Sequence, residues 1–261
     1  MTRTGSFRYV AELLSLLACA ALVAVVAVAA WLSYQGHSES EQELALRRAE
    51  NMALVLRALA GDTLRSVDDA VRGVKDAVER DGMNIDLARI ADGYRDIADY
   101  IAVISVADAE GRLVRSTLPI PDGARITDLA HFRAHVAADT GESFINRPVL
   151  GRVSGKWSFH VTRRINRPGG GFGGVAIVAV DLSYWERLLR AGHLGESGAV
   201  ALVGLDGSAR ALFAPTADLQ HKMMGADFGF LAGRAAVGGE AGGRVTEAGN
   251  GEGLDGTWVY R

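Results

Sequence analysis

The first pattern along the chain is an uninterrupted apolar run near the N-terminus. No charged residue occurs from Leu13 to Tyr34. As a helix this segment would extend roughly 33 Å, enough to cross the hydrocarbon core of a bilayer. Arg3 and Arg8 precede the run, and Glu39 follows it. Because basic residues favour the cytoplasmic side, we predict a membrane-spanning helix with residues 1–12 in the cytoplasm and the rest of the chain outside it.

Two other kinds of N-terminal segment also contain an apolar run. The apolar region of a cleaved signal peptide is only ~7–15 residues long, and this run is longer. A lipoprotein signal is suggested by Cys19, the only cysteine, which follows Leu-Leu-Ala. Cleavage there would leave the strongly apolar segment 20–31 at the mature N-terminus. We therefore expect an uncleaved anchor in the bacterial inner membrane.

A long helical pattern follows the anchor. Apolar residues recur at steps of three or four positions from Leu46 to Val78, which is the period of one face of an α-helix. Gly61 and Gly73 each cost about 1 kcal/mol inside a helix, so packing must stabilise it. We predict a stalk helix over 35–82 whose apolar stripe faces a core, a homodimer partner, or each at a different height.

Beyond the helix the apolar pattern takes the period of β-strands. Segments 100–106 and 112–116 have the pattern of two strands joined by a turn. A similar unit recurs over 200–213, which predicts an internal duplication. We expect a membrane-distal module over 83–190 and a membrane-proximal module over 191–261, the latter ending in mid-strand as a fragment of a longer protein would.

The first module is the better specified of the two. It has a short helix near 128–136, three strands and a connecting helix; the predicted strands cover 148–152, 156–165 and 174–182. A mostly antiparallel sheet flanked by helices is an α+β arrangement of PAS-like type.

Composition narrows the classes of function. Hydrophobic residues make up 49% of the chain and the formal net charge is −3, so a core can form, while a basic surface for nucleic acid is not expected. The glycines at 169, 171 and 174 match a dinucleotide-binding spacing, but a strand follows them where a helix should, so a hairpin turn is the better interpretation. We find no spacing that indicates a catalytic site, and we predict no enzyme activity and no cofactor within these residues.

Two histidines, His131 and His135, are four residues apart on the predicted short helix and could in principle share a metal ion. Phe132 stands where the metalloprotease motif needs Glu, and no third ligand is evident. We therefore interpret this helix face as partly exposed or as the lining of a pocket, and predict no metal site.

Four segments resemble a known family. They are VADAEGRLVRST (106–117), DLAHFRAHV (128–136), FINRPVLGRVSGKWSFHVTRRI (144–165) and GGFGGVAIVAVDLSYW (170–185). With the anchor and the long helix, they resemble the double Cache (PAS-like) extracytoplasmic sensors of bacterial diguanylate cyclases, histidine kinases and chemoreceptors. The resemblance covers 36–261 and implies a small-molecule ligand in the first module, with the output domain beyond the end of this chain.

The resemblance does not carry over an amino-acid ligand. In amino-acid-sensing members the pocket strand has an arginine two residues before a tryptophan and a tyrosine directly after it. If Trp157 is that tryptophan, Gly155 and Ser158 occupy the other two positions. Lys156 and two nearby arginines could still meet an anionic ligand.

The candidate ligand-binding residues combine aromatic walls with polar groups. They are Phe132, His135, Arg152, Trp157, Phe159, Arg163 and Asp181. For Asp181 the simpler interpretation is a helix cap. We expect a ligand-sensing input region of a membrane-bound signalling protein, and the alternative is an anchored protein-interaction module without a small ligand.

Overall fold

Helix α1 (Thr4–Asp81) forms the N-terminal part of the protein. The computed structural model describes the backbone of residues 4–191, 198–224, 226–229, 243–247 and 256–260, and the side chains of 43–191, 198–220, 223 and 226–229. The chain divides into two units, residues 1–50 and 51–261. The long helix, the antiparallel sheet and the α+β class are as the sequence predicted.

The predicted membrane segment, 13–34, lies within α1 in the part whose side chains fall outside those described. Among the described residues, no helix is both long enough and apolar enough to span a bilayer.

A six-stranded antiparallel sheet forms the centre of the second unit. Its strand order is β2-β1-β6-β5-β3, with β4 also paired to β5. The strands are β1 (Ile101–Asp108), β2 (Leu113–Ser116), β3 (Phe144–Ile145), β4 (Val149–Leu150), β5 (Trp157–Asn166) and β6 (Phe172–Asp181). The helices around it are α2 (Leu87–Asp92), a 3-10 turn (Arg95–Tyr100), α3 (Ala130–Ala137) and α4 (Leu182–Ala191).

One face of this sheet packs against the second half of α1. The valine stripe of the helix is fully buried there: Val67, Val71 and Val74 are 0% exposed. It meets alternate residues of β5 and β6, among them Phe159 and Val178, together with Trp185 of α4. The helix is stabilised by this burial, as two glycines in its interior require.

Gly73 has a specific packing role in α1. The ring of Tyr94 lies against the helix at this position, and its hydroxyl donates a hydrogen bond to the carbonyl oxygen of Asp69 at 3.2 Å. A Cβ on residue 73 would overlap the Tyr94 hydroxyl. Glycine therefore permits the close approach of the tyrosine, which compensates for its low helix propensity.

The other face of the sheet is covered by α3 and the loop before it. Buried side chains here include Ile126, Phe132, Val175 and Ile177. Phe132 meets Phe172 edge to face, with ring centroids 5.5 Å apart. The candidate site lies on this face.

Residues beyond α4 form smaller pieces. They are β7 (Val200–Val203), β8 (Ala209–Phe213), α5 (Ala217–Met224), β9 (Gly243–Glu247) and β10 (Gly256–Tyr260). β7 pairs with β8 and β9 with β10, both antiparallel.

The turns β1–β2 and β7–β8 repeat one hydrogen-bonding pattern. Gly111 and Gly207 have φ of 73° and 75°, values that glycine adopts readily. The carbonyl of Gly111 accepts the backbone N–H of Ile126 at 2.9 Å, and that of Gly207 accepts the N–H of Phe228 at 2.8 Å. This shared geometry is what an internal duplication would produce.

Candidate functional site

A small cavity lies between α3, the sheet and segment 150–153. Its volume is about 40 Å³, more than the ~10–15 Å³ that one buried water needs. The apolar part of its wall includes Val103, Leu113, Ile126, Leu129 and Ile177. Its polar groups come from Ser105, His131, Arg152 and His160. Apolar walls with a few polar groups are typical of small-molecule sites.

The amide of Asn146 connects the two cavity histidines. Its Oδ1 accepts the backbone N–H of His160 at 2.5 Å, which fixes the amide orientation because a backbone N–H can only donate. Its Nδ2 then faces the imidazoles, 3.4 Å from Nδ1 of His131 and 3.2 Å from Nδ1 of His160. The two rings pack edge to face with centroids 4.9 Å apart.

This arrangement assigns the protons of both rings. An amide nitrogen donates, so Nδ1 of His131 and Nδ1 of His160 must accept. In a neutral imidazole the proton then resides on Nε2. An imidazolium would place a second N–H against the amide donor, so the Asn146 amide disfavours the charged form of either ring.

Burial favours the same neutral state. Burial lowers the pKa of His131 to about 3, with smaller contributions from His160, His135 and the charge of Arg152. Burial also lowers the pKa of His160 to about 4. Because desolvation penalises the charged form, both rings are uncharged at neutral pH and act as hydrogen-bond donors through Nε2.

The Nε2 atom of His131 is buried and has no hydrogen-bond partner within the described part of the chain. The residue is 1% exposed and lines the cavity. Leaving a buried donor unpaired costs roughly 1–3 kcal/mol, and such groups are rare in native proteins. This donor is therefore suited to pair with a bound molecule.

Arg152 supplies positive charge at the cavity wall. Its Nη1 lies 2.9 Å from Oδ1 of Asp128, and its Nη2 also bonds to the same carboxylate. Nη1 further contacts the carbonyl oxygen of Arg125. The hydrogen bond from Arg152 is the main reason that the pKa of Asp128 is lowered. A guanidinium has five N–H donors, so these contacts leave donors for another partner.

Helix α3 is fixed to strand β5 beside the cavity. Nε2 of His135 lies 2.9 Å from Oγ1 of Thr162, and that hydroxyl donates to the carbonyl of Phe144 at 3.1 Å. Arg164 binds the carbonyl oxygen of His135 and stacks over Phe172, 4.9 Å from the ring centroid. A shift of α3 would therefore also displace β5.

The sequence-predicted candidates fall into three groups. Arg152 lines the cavity, and Phe132 and His135 lie on α3 beside it. Phe159 and Arg163 lie on the opposite face of the sheet, against α1. Phe159 is 0% exposed and packs 6.2 Å from Trp185 between ring centroids. Arg163 binds Asp68 of α1.

The last two candidates lie at the end of the sheet. Trp157 is 59% exposed and pairs across the strands with Leu150. Asp181 bonds Nζ of Lys156 at 2.7 Å and accepts the backbone N–H of Ser183 at 2.9 Å. Asp181 thus caps the start of α4, which is the simpler of the two sequence interpretations.

The predicted ligand-binding residues did not include the histidine–amide cluster of the site, which consists of His131, Asn146 and His160. Strand alternation in the sequence puts His160 on the face opposite Phe159, and helical spacing puts His131 one turn from His135, so both positions carry a usable signal. Asn146 carried none, because its partners are 14 and 15 residues away in sequence. Within the described side chains, no group of three or more metal-binding residues is close enough to hold an ion.

No protein-family profile matches the chain, and no curated protein sequence matches it. Solved structures do match. The extracellular domain of a presumed histidine kinase, rpHK1S-Z16, aligns at 22% identity with a TM-score of 0.60, covering 86% of this chain and 88% of that one. The ligand-binding domain of Mlp24 with asparagine aligns at 12% identity with a TM-score of 0.55, covering 81% and 85%.

The ligand-binding domain of the Pseudomonas fluorescens chemoreceptor CtaA with L-serine aligns at 16% identity with a TM-score of 0.50, covering 85% of this chain and 88% of that one. At such identities the likeness establishes the fold. The fold is that of the extracellular ligand-binding domains of histidine kinases and chemoreceptors, so the resemblance predicted from sequence is confirmed at this level.

Proposed function

We propose that this protein is the extracytoplasmic ligand-sensing input region of a bacterial membrane-bound signalling protein, and that its ligand occupies the cavity beside His131. The observation that carries the proposal is the buried Nε2 of His131 at the wall of that cavity, which has no partner among the side chains that the structure describes. The shared fold supports it, since two of the matched ligand-binding domains are bound to L-serine and to asparagine.

Strand β5 is suited to transmit the signal. Its residues alternate between the two faces of the sheet: His160 lies at the cavity, and Arg163 binds Asp68 of α1. A ligand that binds one position of β5 more tightly than another would shift the population of positions, and α1 would follow.

The anchoring and the output are part of the same proposal. The apolar run at 13–34 would fix α1 in the inner membrane, with the N-terminus in the cytoplasm and the sheet in the periplasm. The stalk would pair with a second copy as a homodimer. A kinase or diguanylate cyclase domain would receive the signal on the cytoplasmic side.

The proposal is tested by thermal denaturation of the purified full chain against a library of carboxylates, amines and amino acids. A ligand of the folded state raises its stability by RT ln(1 + [L]/Kd), so at least one compound should raise Tm in a saturable way. The same compound should have less effect on a His131→Phe variant. No shift with any compound would reject the proposal.

One observation favours a second candidate, a protein-interaction module. Leu150 and Trp157 are cross-strand partners, and both are more than half exposed. An exposed aromatic next to an aliphatic side chain is typical of a contact surface. If Trp157→Ala impairs signalling in cells and no compound of the library raises Tm, the protein-interaction function replaces ligand sensing.

A further inference from the structure

We infer that the cavity takes a small monocarboxylate without an ammonium group, of the size of acetate or propionate, held by the Nε2–H groups of His131 and His160 and by Arg152. The inference rests on the proposed function and narrows it to a chemical class.

The cavity offers hydrogen-bond donors. The Asn146 amide occupies Nδ1 of both rings, which leaves the proton of each on Nε2. The buried Nε2–H of His131 has no hydrogen-bond partner among the described residues. A ligand group that pairs with it must therefore be an acceptor. His160 lines the same cavity, and with its proton on Nε2 it is available as a second donor.

The cavity also favours negative charge. Arg152 is the charged residue of its wall, and none of the described lining residues is acidic. Asp128 is close, but it is already engaged by two nitrogens of Arg152. A carboxylate can accept from the imidazoles and from the guanidinium at once, and such charge-assisted bonds are strong. An ammonium group would meet N–H donors and a cation, which disfavours amines and zwitterionic amino acids.

The volume of the cavity and the polarity of its wall further define the chemical class of the ligand. A volume of about 40 Å³ accommodates a few non-hydrogen atoms, given the ~10–15 Å³ that one water requires. Most of the remaining wall is aliphatic and includes Val103, Leu113 and Ile177. This combination fits a short alkyl chain attached to a single carboxylate.

The inference is tested by thermal denaturation and titration calorimetry of the full chain with acetate and propionate. Glycine, ethylammonium and acetamide serve as probes of similar size. A carboxylate at 100-fold excess over its Kd should raise Tm by about 5–10 °C. Acetamide should bind at least tenfold more weakly, and glycine and ethylammonium should give no shift.

Variants locate the site. His131→Phe should weaken propionate binding at least tenfold, and His131→Gln, which keeps a donor, should weaken it less. Arg152→Gln should also weaken it at least tenfold; this side chain is 40% exposed, so the variant tests the site even if the His131 variants do not fold. Arg133→Gln, an exposed arginine on the same helix as His131, should leave the affinity unchanged.

Each contrary outcome has a separate meaning. Glycine or ethylammonium binding as tightly as propionate would overturn the ligand class and leave the sensing function standing. The same conclusion follows if neither carboxylate binds, while another compound of the wider library binds and its affinity falls in the His131→Phe variant. If no compound binds at all, the inference and the proposed function fail together. Unchanged affinity in both His131→Phe and Arg152→Gln would show that the ligand does not bind in this cavity.

Discussion

Arg163 of strand β5 and Asp68 of helix α1 form a two-point ion pair across 95 residues of sequence, with Nε and Nη2 of the guanidinium 2.9 and 2.8 Å from the carboxylate oxygens. The side chains are only 9% and 23% exposed. Nη1 of Arg163 also donates to the carbonyl of Gly141 at 2.7 Å. This pair fixes the position of the cavity strand along the long helix.

Removing one member of this pair should destabilise the protein strongly. Arg163→Ala removes the two-point partner of the partly buried Asp68 and leaves it only the more exposed Arg72, 3.0 Å away, as a cation. We expect a loss of about 2–4 kcal/mol in the free energy of unfolding. The matched control is Arg147→Ala, which breaks the 3.2 Å pair with Asp206. Those side chains are 68% and 41% exposed, so its loss should be below about 1 kcal/mol. Urea denaturation of both variants measures the difference, and equal losses would contradict the prediction.

The two glycines inside α1 should respond to alanine in opposite ways. At Gly61 the nearest atom to an added Cβ is Nη1 of Arg65 at 3.6 Å, an ordinary contact. Gly61→Ala should therefore stabilise the protein by up to about 1 kcal/mol through helix propensity. Gly73→Ala must displace Tyr94 and should destabilise the protein by about 1–3 kcal/mol. Thermal denaturation of the two variants tests this, and a stabilising Gly73→Ala would show that Tyr94 does not depend on the glycine.

The neutral histidines make stability depend on pH in a defined window. Their pKa values fall from about 6.5 in the unfolded chain to about 3 for His131 and about 4 for His160 in the folded protein. Below pH 6.5 the unfolded chain therefore binds protons that the folded protein does not, and stability falls as the pH falls. Each ring should contribute a slope of up to about 1.4 kcal/mol per pH unit between pH 6.5 and 4.5.

Denaturation midpoints at half-unit steps from pH 4.5 to 8 measure this slope. The curve should be flat above pH 7, where neither histidine titrates in either state. A variant with His131→Gln and His160→Gln should lose most of the slope, although it will be less stable at pH 7. An unchanged slope in that variant would assign the effect to other groups.

Periodicity in the sequence predicted the sheet and the stalk well. Alternation along β5 separates Phe159 and Arg163 from His160 and Thr162, and the structure puts these two sets on opposite faces. Periodicity could not say which face meets α1 and which meets the cavity, because that depends on packing between distant segments. The aromatic candidate Phe159 consequently lies in the core against α1.

Two further features of the structure could not be predicted from the local sequence. Trp157 looks like a core aromatic in sequence, but the pairing of β5 with β6 begins at Ser158. Trp157 therefore has a cross-strand partner only in the two-residue strand β4 and is exposed. Asn146 follows a two-residue strand with no periodic pattern. Its role depends on one amide reaching His131 and His160 at the same time, which is a property of the folded chain alone.

Asp181 offers a final prediction that separates a structural role from a binding role. Burial raises the pKa of Asp181, but hydrogen bonds from Lys156 and Ser183 outweigh this effect, and the net pKa is lowered. The carboxylate thus caps α4 in its charged form. Asp181→Ala should destabilise the protein by about 1–2 kcal/mol through loss of the cap and leave propionate affinity unchanged. Asp181→Asn, which keeps a cap acceptor, should recover part of the lost stability. If Asp181→Asn instead abolishes ligand binding while preserving stability, Asp181 belongs to the ligand site and the cavity must extend to the end of β6.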